Sequence, residues 1–343
     1  MNSLSPKERL LRVLHKESVD RAPVICTGGM MNSAIVEIMQ QTGNTLPEAH
    51  FDAKRMAELA QSIQSFTGFE NIGVPFCMTI EAELLGSQID QGTLACEPKI
   101  AREVFPSIND VVYADVETLA RSGRMNVVVD AAHRIAAANP DVPVIASLTG
   151  PISTAASIVD PVTFYKSLRK DPAGAHRVLD YVTRLLSAFA KRLVVEQGAS
   201  VIAVGDPSAT GEILGPVMFE HFAVRYLNQF ADSVHALGFP VIVHICGDMK
   251  RVRHLLPMLR CDALSTDAMV NLVTLKAEFP QVTTMGNLST YALQWNEPEK
   301  IGAVTRSLVK SGIDIISPAC GLSTSTKLES IRAMTDAVTK GGE

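Results

Sequence analysis

The first residues whose types and spacing could do chemistry end an apolar stretch at 240–246, which reads PVIVHIC. Its β-branched composition, between Gly238 and Gly247, is typical of a parallel strand covered on both faces. Side chains of a strand alternate between its two faces, so His244 and Cys246 are predicted to point the same way at the C-terminal end. An imidazole beside a thiolate is a ligand pair that suits zinc.

A third ligand is expected from another strand end. Cys320 ends a later apolar stretch and precedes a glycine, so it can face the same opening and is the preferred candidate. Cys26 and Cys77 also end predicted strands and remain rivals, whereas Cys261 precedes its strand and should lie at the opposite end. Three protein ligands leave the fourth zinc position open, as in catalytic sites.

Asp206, at the end of the neighbouring strand, is predicted to fill that fourth position when substrate is absent, and Glu212 is a weaker candidate. Two thiolates and one neutral imidazole would balance the charge of Zn²⁺, so a bound water would be only weakly acidified. A bound thiol would instead be held as a nucleophilic thiolate. The predicted chemistry is therefore alkyl transfer to a zinc-bound thiolate.

Eight apolar stretches are predicted to be the strands that position these groups, at 24–26, 71–77, 142–148, 200–206, 240–246, 263–267, 282–287 and 314–320. Helical patterns lie at 6–15, 32–41, 51–66, 115–138, 161–168, 172–197, 219–237, 250–259, 272–278, 298–311 and 327–339. Such alternation predicts an α/β fold, a single (β/α)₈ TIM barrel over 1–343.

Two additions to the barrel are expected: an N-terminal helical extension that opens at a Ser5 cap, and an insertion after strand two, at 79–102, with a small hairpin. A doubly wound open sheet is the alternative. It would require a glycine-rich phosphate loop after strand one, and the Gly28-Gly29-Met-Met segment does not match that pattern.

Composition excludes several classes of function. The 343 residues are 47% hydrophobic and 20% charged with a net charge of −5, which favours neither nucleic acid nor a membrane surface as a partner. No apolar run approaches the length of a membrane span. Without an apolar leader segment the protein is predicted to be cytoplasmic, where six cysteines indicate metal binding, catalysis or burial rather than disulfides.

The chain resembles the uroporphyrinogen decarboxylase superfamily and, within it, the methylcobamide:coenzyme M methyltransferases. Segments similar to the whole superfamily are 6–9 with 20–23, 148–151, 244–247 and 285–288. Segments similar to the methyltransferase branch are 28–32, 74–83 and the His-x-Cys…Cys pattern of His244, Cys246 and Cys320.

This resemblance implies a barrel whose Zn²⁺, held by His244, Cys246 and Cys320, activates the thiol of coenzyme M. A methylated corrinoid, carried by a separate small corrinoid protein, would be the co-substrate and methyl donor. Tetrahydrofolate or another thiol is the alternative acceptor. The residues expected to bind the cofactor or its carrier are Met30, Asn32, Glu81, Thr149 and Asn287.

Two other functions remain open. Decarboxylation of uroporphyrinogen would require an arginine cluster for many carboxylates, and the family's arginine-rich stretch is replaced here by Thr-Gly-Gly-Met-Met at 27–31. A non-enzymatic corrinoid or tetrapyrrole binding module would leave the cysteines merely packed, since a lone buried cysteine usually acts as a small hydrophobe.

Overall fold

Six parallel strands form one sheet in the computed structural model, which describes residues 3–196 and 198–341. Their spatial order is β1-β4-β5-β6-β7-β8, and β2 pairs with β3 in a separate antiparallel hairpin. The strands are β1 (Ile72–Val74), β2 (Gln88–Asp90), β3 (Lys99–Arg102), β4 (Val144–Thr149), β5 (Val201–Gly205), β6 (Val241–Ile245), β7 (Ala263–Thr266) and β8 (Thr284–Met285). The hairpin is the predicted insertion.

The first and last predicted strands, at 24–26 and 314–320, close the barrel through isolated bridges and side-chain contacts instead of full ladders. Val24 forms a parallel bridge with Ile316, which lies next to β8 through the Met285–Ile315 bridge. The first predicted strand is joined to the segment before β1 by the side chain of Asn71. Its amide accepts from the backbone N–H of Cys26 and donates to the backbone oxygen of Cys26, both at 2.8 Å. The predicted (β/α)₈ barrel is therefore confirmed.

The helices that the structure describes surround this barrel. They are α1 (Pro6–Leu14), α2 (Val36–Thr42), α3 (Ala53–Thr67), α4 (Ile80–Leu84), α5 (Val116–Leu119), α6 (Gly123–Ala138), α7 (Pro151–Ile158), α8 (Pro161–Lys170), α9 (Pro172–Lys191), α10 (Gly211–Met218), α11 (Arg225–His235), α12 (Leu272–Glu278), α13 (Thr290–Trp295), α14 (Pro298–Lys310) and α15 (Leu328–Thr339). None of them has the length and apolarity needed to cross a membrane.

Several helix predictions are corrected. The helix expected at 115–138 is divided into α5 and α6 where Gly123 adopts a positive φ of 53°. The one expected at 250–259 is a 3₁₀ segment, Arg253–Met258, whose Pro257 has no N–H to donate. A π-helical turn follows α9, and the predicted end of that helix, Gln197, lies outside the described residues.

Helix α1 covers the N-terminal end of the barrel. The predicted Ser5 cap is confirmed, because its hydroxyl accepts from the backbone N–H of Glu8 at 3.2 Å. Leu10 and Leu14 are buried in one apolar cluster with residues from the barrel interior, including Ile145. The helical extension therefore completes the core at the end away from the strand C-termini.

A buried polar network fixes α1 to the barrel wall. Arg9 is 2% exposed and binds Asp20 and Glu70, with its Nε 2.7 Å from Asp20 Oδ1. Glu70 also accepts from Arg21 at 2.7 Å and from the backbone N–H of Val24 at 3.0 Å. Since Val24 belongs to the first barrel strand, this network supports barrel closure.

His50 gives the fold a specific sensitivity to acid. Its side chain is fully buried, and neither ring nitrogen has a hydrogen-bond partner among the residues that the structure describes. Burial, reinforced by the nearby Arg124 charge, lowers the pKa of His50 to about 4. As the pH falls, His50 is therefore protonated in the unfolded chain before it is protonated in the folded one. The free energy of unfolding should decrease between about pH 6.5 and pH 4, by up to ~3 kcal/mol at 1.36 kcal/mol per pKa unit.

We therefore expect His50→Leu to lose less stability than wild type between pH 7 and pH 4, measured by urea unfolding at each pH. A difference between the two proteins that stays constant over this range would contradict the prediction.

Candidate metal centre

His244, Cys246 and Cys320 converge at the C-terminal end of the barrel. Their ligand atoms all lie within 4.8 Å of one another, and within the described part of the chain they form the one His/Cys/Asp/Glu group that meets this condition. His244 Nε2 lies 3.1 Å from Cys246 Sγ, which lies 3.4 Å from Cys320 Sγ. Tetrahedral zinc with these ligands would separate the atoms by about 3.5–3.8 Å. The side chains therefore fit zinc after shifts of a few tenths of an ångström.

The strand positions explain this convergence. His244 lies in β6, between Gly205 of β5 and Ser265 of β7, and Cys246 follows directly after the strand. Cys320 lies at the end of the last predicted barrel strand, at 314–320. The next residue, Gly321, touches the backbone oxygen of Met30 so closely that any Cβ there would collide with it.

Ser265 orients the imidazole. Its Oγ lies 2.9 Å from His244 Nδ1 and 3.7 Å from the sulfur of Met31. When the serine hydroxyl donates to the thioether, it accepts from Nδ1–H, and the Nε2 lone pair then faces the two cysteines. This hydrogen bond supports the tautomer that can bind metal.

We expect Ser265→Ala to weaken zinc binding about 10- to 100-fold, as is usual when the partner of a ligating histidine is lost. The measurement is competition with a chromogenic chelator. Ser265→Thr keeps the hydroxyl and should retain most of the affinity. Equal affinities for the alanine variant and wild type would show that Ser265 only packs.

The two cysteines share a proton when no metal is bound. The hydrogen bond between the two thiols lowers the pKa of Cys320 and raises the pKa of Cys246. The first proton therefore leaves the pair easily and the second with difficulty.

The prediction of Asp206 as a fourth ligand needs correction. Its carboxylate accepts from the backbone N–H groups of Ile152 at 3.0 Å and Ser153 at 2.8 Å, and from the Ser153 hydroxyl at 2.6 Å. The side chain is fully buried beneath the N-terminus of α7, and burial raises its pKa to about 6. Asp206 therefore caps α7, and its carboxylate lies outside the metal-binding group. Glu212 is exposed in the first turn of α10.

The rival cysteines lie apart from the metal-binding group. Cys26 donates to the backbone oxygen of Met31 at 2.6 Å, and burial raises its pKa to about 12. Cys77 lies beside the guanidinium of Arg124, at 3.4 Å from Nη1. The structure thus favours Cys320 as the third ligand.

Met30 is the candidate cofactor-binding residue that lies closest to the metal-binding group. Its sulfur is 4.0 Å from Cys246 Sγ, and its side chain lines the same cavity as Cys320. Asn32 lies behind it and donates to the backbone oxygen of Gly29 at 3.2 Å and to Glu97 at 2.9 Å. Asn32 therefore holds the loop that carries Met30.

The remaining three candidates are engaged with the protein itself. Glu81 accepts from the backbone N–H and hydroxyl of Thr149 at 2.9 and 3.0 Å. Asn287 donates to the backbone oxygens of Asp267 and Val270 at 2.8 and 2.7 Å. These contacts position strand ends, and a direct role of the three in binding the cofactor stays a prediction.

A cavity of about 910 Å³ opens above Cys320. One wall is the tip of the β2–β3 hairpin, which is held by the hydroxyl of Thr324 on the backbone oxygen of Ala95 at 2.8 Å. The opposite wall includes Tyr291 and Trp295 of α13. Sequence patterns do not predict this wall, because a six-residue helix is too short to show a period.

A closed parallel barrel with ligand-type side chains at the C-terminal strand ends defines an enzyme of the TIM-barrel class. The chain belongs to the uroporphyrinogen decarboxylase (URO-D) family, whose sequence profile matches residues 5–341. It is 31% identical to the methylcobamide:CoM methyltransferase MtbA of Methanosarcina acetivorans over 338 residues, which is 98% of each chain. It is 30% identical to MtaA of Methanosarcina barkeri, with 97% of each chain covered.

Among solved structures, a methyltransferase from Methanosarcina mazei superposes with a TM-score of 0.93 at 29% identity, over 99% of this chain and 100% of that one. The resemblance inferred from the sequence motifs is therefore confirmed over nearly the whole chain, and so is the fold.

Proposed function

We propose that this protein is a zinc-dependent methyltransferase that moves a methyl group from a methylated corrinoid to a thiol. The observation that carries the proposal is the convergence of the His244, Cys246 and Cys320 ligand atoms within 4.8 Å of one another, with Cys320 lining an open cavity. The names of the relatives, methylcobamide:CoM methyltransferases, support it.

The donor set determines the chemistry. Zinc bound there would hold an incoming thiol as a thiolate near neutral pH. The site supplies one neutral donor, His244, and two anionic donors, the cysteines. The two thiolates would balance the charge of Zn²⁺, so a bound thiolate would keep its nucleophilic character. This donor set suits thiol alkylation better than the activation of water.

In the proposed reaction the acceptor thiol gives its proton to water. Its sulfur forms a bond to the methyl carbon while the cobalt–carbon bond breaks, and both electrons of that bond remain on cobalt. The cobalt changes from the +3 to the +1 state, and a methyl thioether leaves. Met30 and Cys320 line the floor of the cavity where this exchange would occur.

The corrinoid is proposed to arrive on a separate small protein, and coenzyme M is the first acceptor to test. Tetrahydrofolate is the alternative acceptor. Lys99 is the one cationic side chain among the described residues that line the cavity, and it pairs with Asp90 at 3.4 Å. The absence of arginine from that lining argues against a polycarboxylate such as uroporphyrinogen. A cytoplasmic location stays a prediction.

The test is the loss of methylcobalamin absorbance with coenzyme M, other thiols or tetrahydrofolate as acceptor. We expect about one zinc per chain, demethylation that depends on the acceptor, loss of activity with a chelator and recovery with added zinc. Turnover that is indifferent to the chelator would refute the proposal. Tight corrinoid binding without turnover would favour the binding module instead.

A further inference from the structure

Two large aromatic side chains stand out from the surface at the cavity rim. Tyr291 is 79% exposed and Trp295 is 76% exposed, and both belong to α13. Residues four apart in a helix lie on the same face, so the two rings form one continuous apolar surface. Exposed aromatic groups next to a cavity are typical of a surface that binds a partner.

This surface shares a cavity with Cys320, one of the three proposed metal ligands. Tyr291 and Trp295 line the same cavity as Met30 and Cys320. At about 910 Å³ the cavity reaches the upper end of the size range of small-molecule sites. It has room for a macrocycle over the metal centre as well as for a small thiol.

The proposed reaction determines which occupant faces α13. A sulfur held beside Cys320 can reach the methyl carbon only if the cobalt, and with it the flat ring, lies directly above the cavity floor. The edge or face of that ring must then lie against the cavity walls. This argument rests on the proposed function.

The polar groups of the rim fit an amidated ring. Around the aromatic pair lie the uncharged hydrogen-bonding side chains of Thr290, Gln294 and Ser323. Corrinoids carry neutral amide side chains at their periphery, which such groups can bind. A ring that carries carboxylates would require arginine, and arginine does not occur among the described residues that line this cavity.

We propose that α13 is the docking surface for the corrin ring carried by the partner protein, with Tyr291 and Trp295 in contact with the ring. Burial of a large apolar side chain against the ring is worth about 1.5–3 kcal/mol when it is complete. Loss of one of these rings should therefore weaken corrinoid binding by about tenfold, which corresponds to about 1.4 kcal/mol.

The fluorescence of Trp295 can report binding, because Trp295 is the single tryptophan of the chain. Corrinoids absorb in the region of tryptophan emission, so a docked ring must quench the Trp295 fluorescence. The probe is aquacobalamin, titrated into the zinc-loaded protein and into protein treated with a chelator. We expect saturable quenching in both, and about tenfold weaker binding in Tyr291→Glu. Trp295→Leu should show a similar loss by equilibrium dialysis.

Val162→Glu provides the matched control, since Val162 is 61% exposed on α8 and does not line this cavity. It should bind aquacobalamin as wild type does. Zinc content should be unchanged in all three variants. If Tyr291→Glu and Trp295→Leu bind with wild-type affinity, or if the wild type shows no saturable quenching, the docking surface is wrong even if methyl transfer proceeds. Quenching without any methyl transfer would refute the proposed function and leave the docking surface standing.

Discussion

Cys320→Ala should lose zinc affinity by about 100- to 1,000-fold and lose thiol-dependent demethylation of methylcobalamin by at least as much. Four-ligand zinc sites are worth roughly 10–16 kcal/mol, so one ligand contributes about 3–4 kcal/mol, and each 1.4 kcal/mol is a factor of ten. Cys320 Sγ lies 3.4 Å from Cys246 Sγ, so alanine leaves only two donors. The measurements are zinc content after dialysis and the absorbance assay.

Cys96→Ala is the matched control. Cys96 lines the same cavity but is exposed at the hairpin tip and lies outside the metal-binding group. It should retain zinc and activity. Cys320→Ala with a full complement of zinc and wild-type turnover would remove the basis of the proposed function.

Arg9→Ala should lower the free energy of unfolding by about 3–5 kcal/mol, the usual cost of removing one partner from a buried ion pair. Arg9 is 2% exposed, and its guanidinium lies between Asp20 and Glu70. Alanine would leave Glu70 buried with the partly exposed Arg21 as its one cationic partner in the described part of the chain. Chemical denaturation with circular dichroism measures this loss.

Arg12→Ala, one turn further along α1, is the control for this change. Arg12 pairs with Glu8 on the exposed face of the helix. Such surface pairs contribute roughly 0–1 kcal/mol, so the control should remain close to wild type. Similar losses for the two arginine variants would show that the helix itself, and not the buried network, determines the effect.

The sequence predicts two of the three proposed metal ligands from local spacing alone, and most of the barrel. His244 and Cys246 share a face because side chains alternate along every strand, and local spacing is enough to determine this. The regular alternation of apolar stretches and helical patterns likewise predicts the closed barrel. The insertion at 79–102 is predicted from its turn residues, and its hairpin is present as β2–β3.

Only the tertiary structure decides which distant side chains meet. Cys26, Cys77 and Cys320 all lie at predicted strand ends, and among the described residues Cys320 is the one that joins His244 and Cys246. Cys26 binds the backbone oxygen of Met31 instead, and Cys77 lies beside Arg124. Asp206 has the residue type and position of a ligand, yet its carboxylate binds the N-terminus of α7, a helix of small residues with no clear period.

The aromatic wall of α13 and the Ser265 contact likewise depend on where strands and loops pack. Local spacing determines the direction of a side chain relative to its own backbone. Whether two side chains far apart in the sequence touch depends on the closure of the barrel and on the hydrogen bonds available at its rim.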